Sequence, residues 1–150
     1  KKVEQRKRET TKNQMVTSSL LEAEKRLLGL ISQSKKLYKM SSAQIKAEEF
    51  ATDVYRRLAK SMYDSYENGM SPDPAMMLND FSDDDLSEAS EVFYNLEVYS
   101  GDEETVKELL YTIKLEKLNM RINAETDPTN LMDLFKQREE LLNEKNTWEE

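Results

Sequence analysis

Apolar side chains recur along the chain at intervals of three and four residues. Such intervals place the side chains on one side of an α-helix, whereas strands would need alternation and more β-branched runs. The pattern predicts helices over residues 19–31, 35–41, 53–68, 83–96 and 102–124, a short helical turn from Pro74 towards Phe81, and a last helix from about Thr129. The chain is therefore predicted to be all-α.

The predicted helix ends carry capping residues. Ser19 and Glu22 have the spacing of a capping box, in which the serine accepts from an amide three residues on and the glutamate reaches back. Gly69 follows the third helix and is suited to a left-handed terminating conformation. Asp-Pro pairs at 73–74 and 127–128 combine a side-chain cap with a proline in the first helical position. The helix boundaries are therefore predicted as well as the helices.

The last two helices are predicted to form an antiparallel hairpin, because only a short turn separates them. On the final helix, the positions with the spacing of a packing seam are Leu131, Leu134, Phe135, Arg138, Leu141, Leu142, Lys145 and Trp148. If both helices carry broad apolar stripes, part of that surface must fold back onto the body or dock on another protein. Periodicity alone supports internal packing and partner docking about equally.

The residue composition excludes most catalytic chemistry. The chain of 150 residues has no cysteine and no histidine, which removes disulfides, thiolate and imidazole metal ligands, and Ser-His-Asp arrangements. The acidic run at Asp80 and residues 83–85 lacks the spacing of a calcium loop and is typical of a helix start. Three scattered glycines do not form a phosphate-binding loop. We therefore predict no catalytic residue, no cofactor and no metal site.

Charge is unevenly distributed along the chain, whose formal net charge is -8. Residues 1–17 hold six basic and two acidic side chains, a pattern that predicts a flexible linker or, alternatively, a basic arm touching nucleic acid. The acidic remainder argues against direct nucleic-acid binding by the body, because phosphate binding depends on Lys and Arg. Neither a membrane span nor a signal peptide is predicted, so a cytoplasmic location is expected.

Several short motifs occur in the order found in two bacterial replication families. Residues 23–28, Ala-Glu-Lys-Arg-Leu-Leu, resemble the Ala-Glu-x-x-Leu-Leu signature shared by the C-terminal domain of bacterial DNA primase (the DnaG type) and the N-terminal domain of the replicative helicase that it binds (the DnaB type). The ordered set spans residues 20–148. Its further members are similar to family motifs in residue type and order: Phe50, Tyr63-x-x-Tyr66-Glu67-Asn68-Gly69, Asp73-Pro74 and Leu78.

Two features favour the primase domain over the helicase domain. No P-loop ATPase segment follows the terminal hairpin, and the N-terminus is typical of an incoming basic linker, residues 1–17. The resemblance then implies a multi-helix bundle subdomain over residues 18–110 that modulates helicase activity, followed by a long helix and a C-terminal helical hairpin over residues 111–150. It also implies that the hairpin docks on the N-terminal domains of the replicative DNA helicase hexamer, recruiting primase to the replication fork for RNA primer synthesis.

If the hairpin docks in this way, the seam of the last helix predicts which residues bind the partner. They lie on the last helix and comprise Leu131, Leu134, Phe135, Arg138, Glu139, Leu141, Leu142, Lys145 and Trp148. Their apolar members would supply binding energy, while the charged members steer from the rim. This piece is expected to be non-catalytic and monomeric alone, with the zinc and magnesium of the parent RNA polymerase held elsewhere. The alternatives are the N-terminal collar domain of the helicase itself, which self-associates into rings, and a generic helical adaptor.

Overall fold

The computed structural model describes residues 16–94 and 102–149, and no strand occurs among them. The α-helices of these ranges are α1 (Ser18–Gln33), α2 (Lys35–Ser42), α3 (Asp53–Glu67), α4 (Pro74–Leu78), α5 (Asp83–Tyr94), α6 (Glu103–Ala124) and α7 (Pro128–Asn146), with 3-10 turns η1 (Ala47–Glu49) and η2 (Thr147–Glu149). The all-α prediction is confirmed. Most of the predicted basic linker lies outside the described residues, and so does Leu96 at the end of the helix predicted over residues 83–96.

Two compact units make up the chain. The bundle unit is Glu22–Leu110. The hairpin unit is Tyr111–Glu150 together with Lys1–Leu21, as far as these residues are described.

The bundle unit has its core along the apolar sides of α1 and α3. Leu27, Leu28 and Ile31 of α1 are fully buried, and so are Leu58 and Met62 of α3. Their spacing of one, three and four residues is that of a broad apolar stripe on each helix. Burial of each such side chain stabilises the fold by about 1.5–3 kcal/mol, so these five positions contribute strongly to the stability of the unit.

A tyrosine cluster joins α2 to α3. The Tyr38 ring stacks on Tyr66 with centroids 4.6 Å apart and meets Tyr63 edge-on at 5.1 Å. The Tyr63 hydroxyl donates to the carbonyl oxygen of Ile45 at 2.9 Å, and the Tyr66 hydroxyl donates to that of Ile31. Burial raises the pKa of both phenols, so they stay protonated and keep donating. The cluster is therefore a fixed part of the fold.

Capping at three helix ends is as predicted. Asp73 Oδ1 accepts from the amide of Ala75 at 3.0 Å, and Asp127 Oδ1 accepts from that of Thr129 at 2.9 Å. Each aspartate precedes a proline that begins its helix. Gly69 has φ +73°, the left-handed conformation expected beyond the end of α3. These ends follow local rules, since each cap and its partner are neighbours in sequence.

The predicted capping box at the first helix is wrong. The helix α1 begins at Ser18, and the amide of Leu20 donates to Thr17 Oγ1 at 3.0 Å. Ser19 therefore lies inside the first turn. The Thr17 hydroxyl also donates to Glu116 Oε2 at 3.2 Å, a residue 99 positions away. A long-range contact thus accompanies the cap that is used.

A half-buried carboxylate links α5 to the start of α3. Glu88 Oε2 accepts a hydrogen bond from Thr52 Oγ1 at 3.0 Å, and Thr52 is the N-cap residue of α3. Burial raises the pKa of the Glu88 carboxyl above its ordinary value of 4.5, the hydrogen bond from Thr52 opposes this, and the charges of Asp85, Glu91 and Asp53 add to it. The folded state therefore holds the Glu88 proton more tightly than the unfolded chain does.

We expect Glu88→Gln to stabilise the chain at neutral pH and not at acidic pH. Between the ordinary and the raised pKa the folded state binds more protons, so the wild-type free energy of unfolding falls as pH rises through this interval. Glutamine stays uncharged, and its amide oxygen can still accept from Thr52. The free energy of unfolding should rise by at most ~1 kcal/mol at neutral pH, because solvent screens the charge of a half-exposed group. Urea denaturation of the variant and the wild type at about pH 4 and about pH 7 measures this difference in the free energy of unfolding. The same difference at both pH values would contradict the raised pKa of Glu88 as its cause.

Candidate protein-interaction surface

The turn between α6 and α7 is fixed by side-chain hydrogen bonds. Glu125 Oε1 accepts from the amide of Asp127 and from Nδ2 of Asn130, both at 3.2 Å. The amide of Glu125 itself donates to the carbonyl oxygen of Arg121 at 2.9 Å, extending the last turn of α6. Together with the Asp127 cap, these bonds set the direction in which α7 leaves the turn.

One side of α7 packs against α6. Arg138 Nη1 donates to Asn119 Oδ1 at 2.9 Å. The Trp148 ring meets the Tyr111 ring edge-on, with centroids 5.9 Å apart and planes at 74°. Lys145 Nζ lies 4.4 Å from the centroid of the same tyrosine, within range of a cation–π interaction. The two helices thus run antiparallel along a polar and aromatic contact, as the predicted hairpin requires.

The residues of this side of α7, together with Trp148 of the following turn η2, form a stripe that we call the inner stripe. Leu134 is its most buried member, with 9% of its surface exposed. Its spacing alternates three and four residues, which keeps the stripe on one side of the helix. The inner stripe consists of Leu131, Leu134, Arg138, Leu141, Lys145 and Trp148.

A second stripe on α7 is left exposed. Met132 is 72% exposed, and Phe135 and Leu142 are each 42% exposed. With the exposed Glu139 they follow a three-four-three spacing, and we call these four residues the outer stripe. The Arg138 guanidinium lies 5.2 Å from the centre of the Phe135 ring and covers part of it. The outer stripe lies beside the packed inner stripe, about 100° around the helix, and its apolar side chains make it the candidate surface for a contact with another molecule.

The predicted partner-binding residues are divided between the two stripes. Six of the nine lie in the inner stripe, and of these Arg138, Lys145 and Trp148 contact side chains of α6. Phe135, Glu139 and Leu142 lie in the outer stripe. Met132 was missed, although it precedes Phe135 by three residues and continues the same spacing. Partner binding by any of these residues remains a prediction.

Other kinds of site find little support in the described ranges. No group of three or more acidic side chains there is placed to hold a metal ion. None of the helices described is both long and apolar enough to cross a membrane. The predicted lack of catalytic residues and cofactors remains a prediction.

The signature that carried the family resemblance lies in the core of the bundle. Ala23 is 4% exposed, and Glu24, Leu27 and Leu28 are fully buried. Glu24 Oε1 accepts from the amide of Ala51 at 2.9 Å, so this carboxylate ties α1 to the chain just before α3. The signature therefore holds the fold together and does not form a binding surface.

Comparison with known proteins gives one match. A protein-family model of the DnaB-like helicase N terminal domain matches residues 16–117, more than half of the chain. The matched segment ends within α6, so the family match does not include α7. Comparison with curated proteins and with solved structures gives no match.

The expectation of a primase C-terminal domain is wrong, because the family that matches is the helicase domain. The expected recruitment of primase for RNA primer synthesis, and the RNA polymerase as parent protein, fall with it. The error has a physical cause: the signature at residues 23–28 resembles both families, and in this chain its alanine, glutamate and leucines are core residues, which do not bind partners. The chain belongs to the DnaB-like helicase N-terminal domain family.

Proposed function

We propose that this chain is the N-terminal collar domain of a DnaB-like replicative helicase, and that it is a non-catalytic domain which joins copies of the protein in pairs within the helicase ring. Membership of the helicase family supports the identity of the parent protein. The observation that carries the proposed association is the exposed outer stripe, with Phe135 and Leu142 as anchors. The stripe lies on α7, after residue 117, and so outside the segment that the family model matches.

The outer stripe suits contact between identical copies. Full burial of Met, Phe or Leu stabilises by about 1.5–3 kcal/mol each, and the two anchors are already partly covered, so each recovers only a fraction. Association itself costs roughly 4–15 kcal/mol. A contact that uses the stripe once is therefore too weak, whereas a two-fold contact uses the stripes of both copies. Association is therefore expected to be weak, about -5 to -4 kcal/mol, which corresponds to a dissociation constant of roughly 0.2–1 mM.

Charge around the stripe is also compatible with a contact between copies. Lys136 and Arg138 lie on the same part of α7 as Glu139 and Glu140, so both signs border the apolar residues. A surface of one sign would repel its own copy, whereas mixed signs permit complementary pairing at the rim.

Sedimentation equilibrium tests the proposal. Over roughly 10 μM to 1 mM, the average mass should rise above the 17.6 kDa of one chain as concentration increases. A mass that stays at 17.6 kDa at the highest concentration would rule out self-association through this domain.

A further inference from the structure

A cleft of about 500 Å³ lies in the bundle unit between α3 on one side and α2 with η1 on the other. Its volume is within the roughly 300–1,000 Å³ typical of small-molecule sites. The α3 wall carries Arg56, Lys60, Tyr63, Asp64 and Glu67, spaced so that they share one side of the helix. The cleft is therefore lined by side chains held on a rigid element.

Two of the cations at the cleft are already engaged within the protein. Lys60 Nζ lies 3.6 Å from Asp64 Oδ2, one turn along α3. Arg57 Nη1 lies 3.8 Å from Asp53 Oδ2, and its Nη2 donates to the carbonyl oxygen of Asp80 at 2.8 Å. These two side chains shape the wall of the cleft and leave little charge to attract a ligand.

Two other cations have no carboxylate partner in the part of the chain that is described. Lys46 reaches the cleft from the residue before η1, and Arg56 from α3. Arg56 Nη1 donates to the carbonyl oxygen of Phe50 at 3.0 Å, which positions the guanidinium and leaves its other N–H groups available. A lysine and an arginine on opposite walls form a pair of donors suited to a phosphate group.

Two tyrosines also line the cleft. They are Tyr38 and Tyr63, and their edge-on contact together with the hydrogen bond from Tyr63 to Ile45 fixes their positions. Each tyrosine is 9% exposed, so a ligand ring can pack only against the open edges of these two rings. Because the tyrosines are already ordered, a ligand loses no free energy in ordering them.

The carboxylates at the cleft limit what it can accept. Glu48, Asp64 and Glu67 also line it, so a ligand with many negative charges, such as an acidic peptide, would be repelled. Hydroxyl and amino groups, in contrast, can donate to these carboxylates. The lining therefore favours a compact molecule with a single anionic group, a ring and several donors.

We infer that the cleft binds a small molecule of the size and chemistry of a nucleoside monophosphate. The phosphate lies between Lys46 and Arg56, the ring lies against Tyr38 and Tyr63, and hydroxyl groups donate to Asp64.

Calorimetric titration of the whole chain with adenosine 5′-monophosphate, adenosine and inorganic phosphate tests this inference. Adenosine 5′-monophosphate should bind more tightly than either of the other two, since each of them lacks one half of the contacts. Lys46→Gln should weaken binding about tenfold, which is the loss of one charge-assisted hydrogen bond, or ~1.4 kcal/mol. Lys46→Arg should restore binding, because the charge and the donors return.

Lys39→Gln is the matched control. Lys39 is an exposed lysine of α2 that does not line the cleft, so its loss should leave the affinity unchanged. Lys46 is itself exposed, and its replacement should not alter the melting temperature. No heat from adenosine 5′-monophosphate at millimolar concentration, equal binding of adenosine, equal binding of inorganic phosphate, or an unchanged affinity of Lys46→Gln would each overturn the assignment.

Discussion

Replacing Phe135 and Leu142 together with serine should leave the chain monomeric at concentrations where the wild type associates. The substitutions remove the two anchors of the outer stripe, and a two-fold contact loses each of them twice. The dissociation constant should rise at least a hundredfold, about 2.7 kcal/mol, because hot-spot residues of this type contribute 1–2 kcal/mol or more each. Sedimentation equilibrium of the variant and the wild type at matched concentrations measures the change.

The matched control for this variant lies in the bundle unit. Met70 and Met76 are exposed at 62% and 68%, and replacing both with serine removes a similar amount of exposed apolar surface elsewhere. The control should associate as the wild type does. Trp148 is the only tryptophan of the chain, and its fluorescence reports whether the hairpin stays folded in the Phe135 and Leu142 variant. Equal loss of association in both variants would mean that the effect is not specific to the outer stripe.

Leu58→Ala should have the largest effect on stability. Leu58 is fully buried in α3, and truncation of such a leucine removes apolar burial and leaves a cavity, at a cost of about 2–5 kcal/mol. That is a large part of the roughly 5–15 kcal/mol that stabilises a domain. Urea denaturation followed by far-ultraviolet circular dichroism measures the free energy of unfolding.

Leu142→Ala provides the comparison with the same chemical change at an exposed position. Leu142 is 42% exposed, so its truncation removes less buried surface and leaves no enclosed cavity, and the expected cost is under ~1 kcal/mol. Similar costs for Leu58→Ala and Leu142→Ala would contradict the assignment of Leu58 to the core and of Leu142 to a surface.

The helices of the bundle were predictable because the signals that define them are local. Val54, Leu58, Met62 and Tyr66 repeat at one-turn intervals, and all four are buried in α3. Gly69 ends the helix through a conformation that glycine adopts at no steric cost. No information from distant residues was needed for this element.

The start of α1 was not predictable in the same way. Thr17 and Ser19 are both good capping residues, and either can accept from an amide three positions ahead. The threonine caps the helix, and it also donates to Glu116, a residue 99 positions away that no local pattern connects to it. Choosing between two suitable caps required the tertiary structure.

The candidate surface was predicted only in part. The seam on the last helix was placed correctly along the chain, but its apolar positions belong to two neighbouring stripes. Leu134 and Phe135 are adjacent in sequence, yet one is buried and the other is exposed. The stripe that faces α6 is the one whose side chains find contacts there, as Arg138 does with Asn119. The spacing of apolar residues along α7 alone does not predict those contacts.

The choice between two replication families failed for a related reason. The signature residues Glu24 and Leu28, which carried the resemblance, are buried in the core of the bundle. Core residues report on packing, whereas partner choice depends on surface residues. The match over residues 16–117 identified the family where the short motifs did not.

Distance measurement between spin labels tests most directly whether the outer stripe of α7 meets the same stripe of a second copy. The chain has no cysteine, so Lys136→Cys beside Phe135 accepts a single nitroxide label without competing sites. At concentrations where the chain associates, pulsed dipolar spectroscopy should give one short, narrow distance between labels on two copies, and Phe135→Ser with Leu142→Ser should abolish it. Association without a short distance at this position would show that copies meet through a different surface.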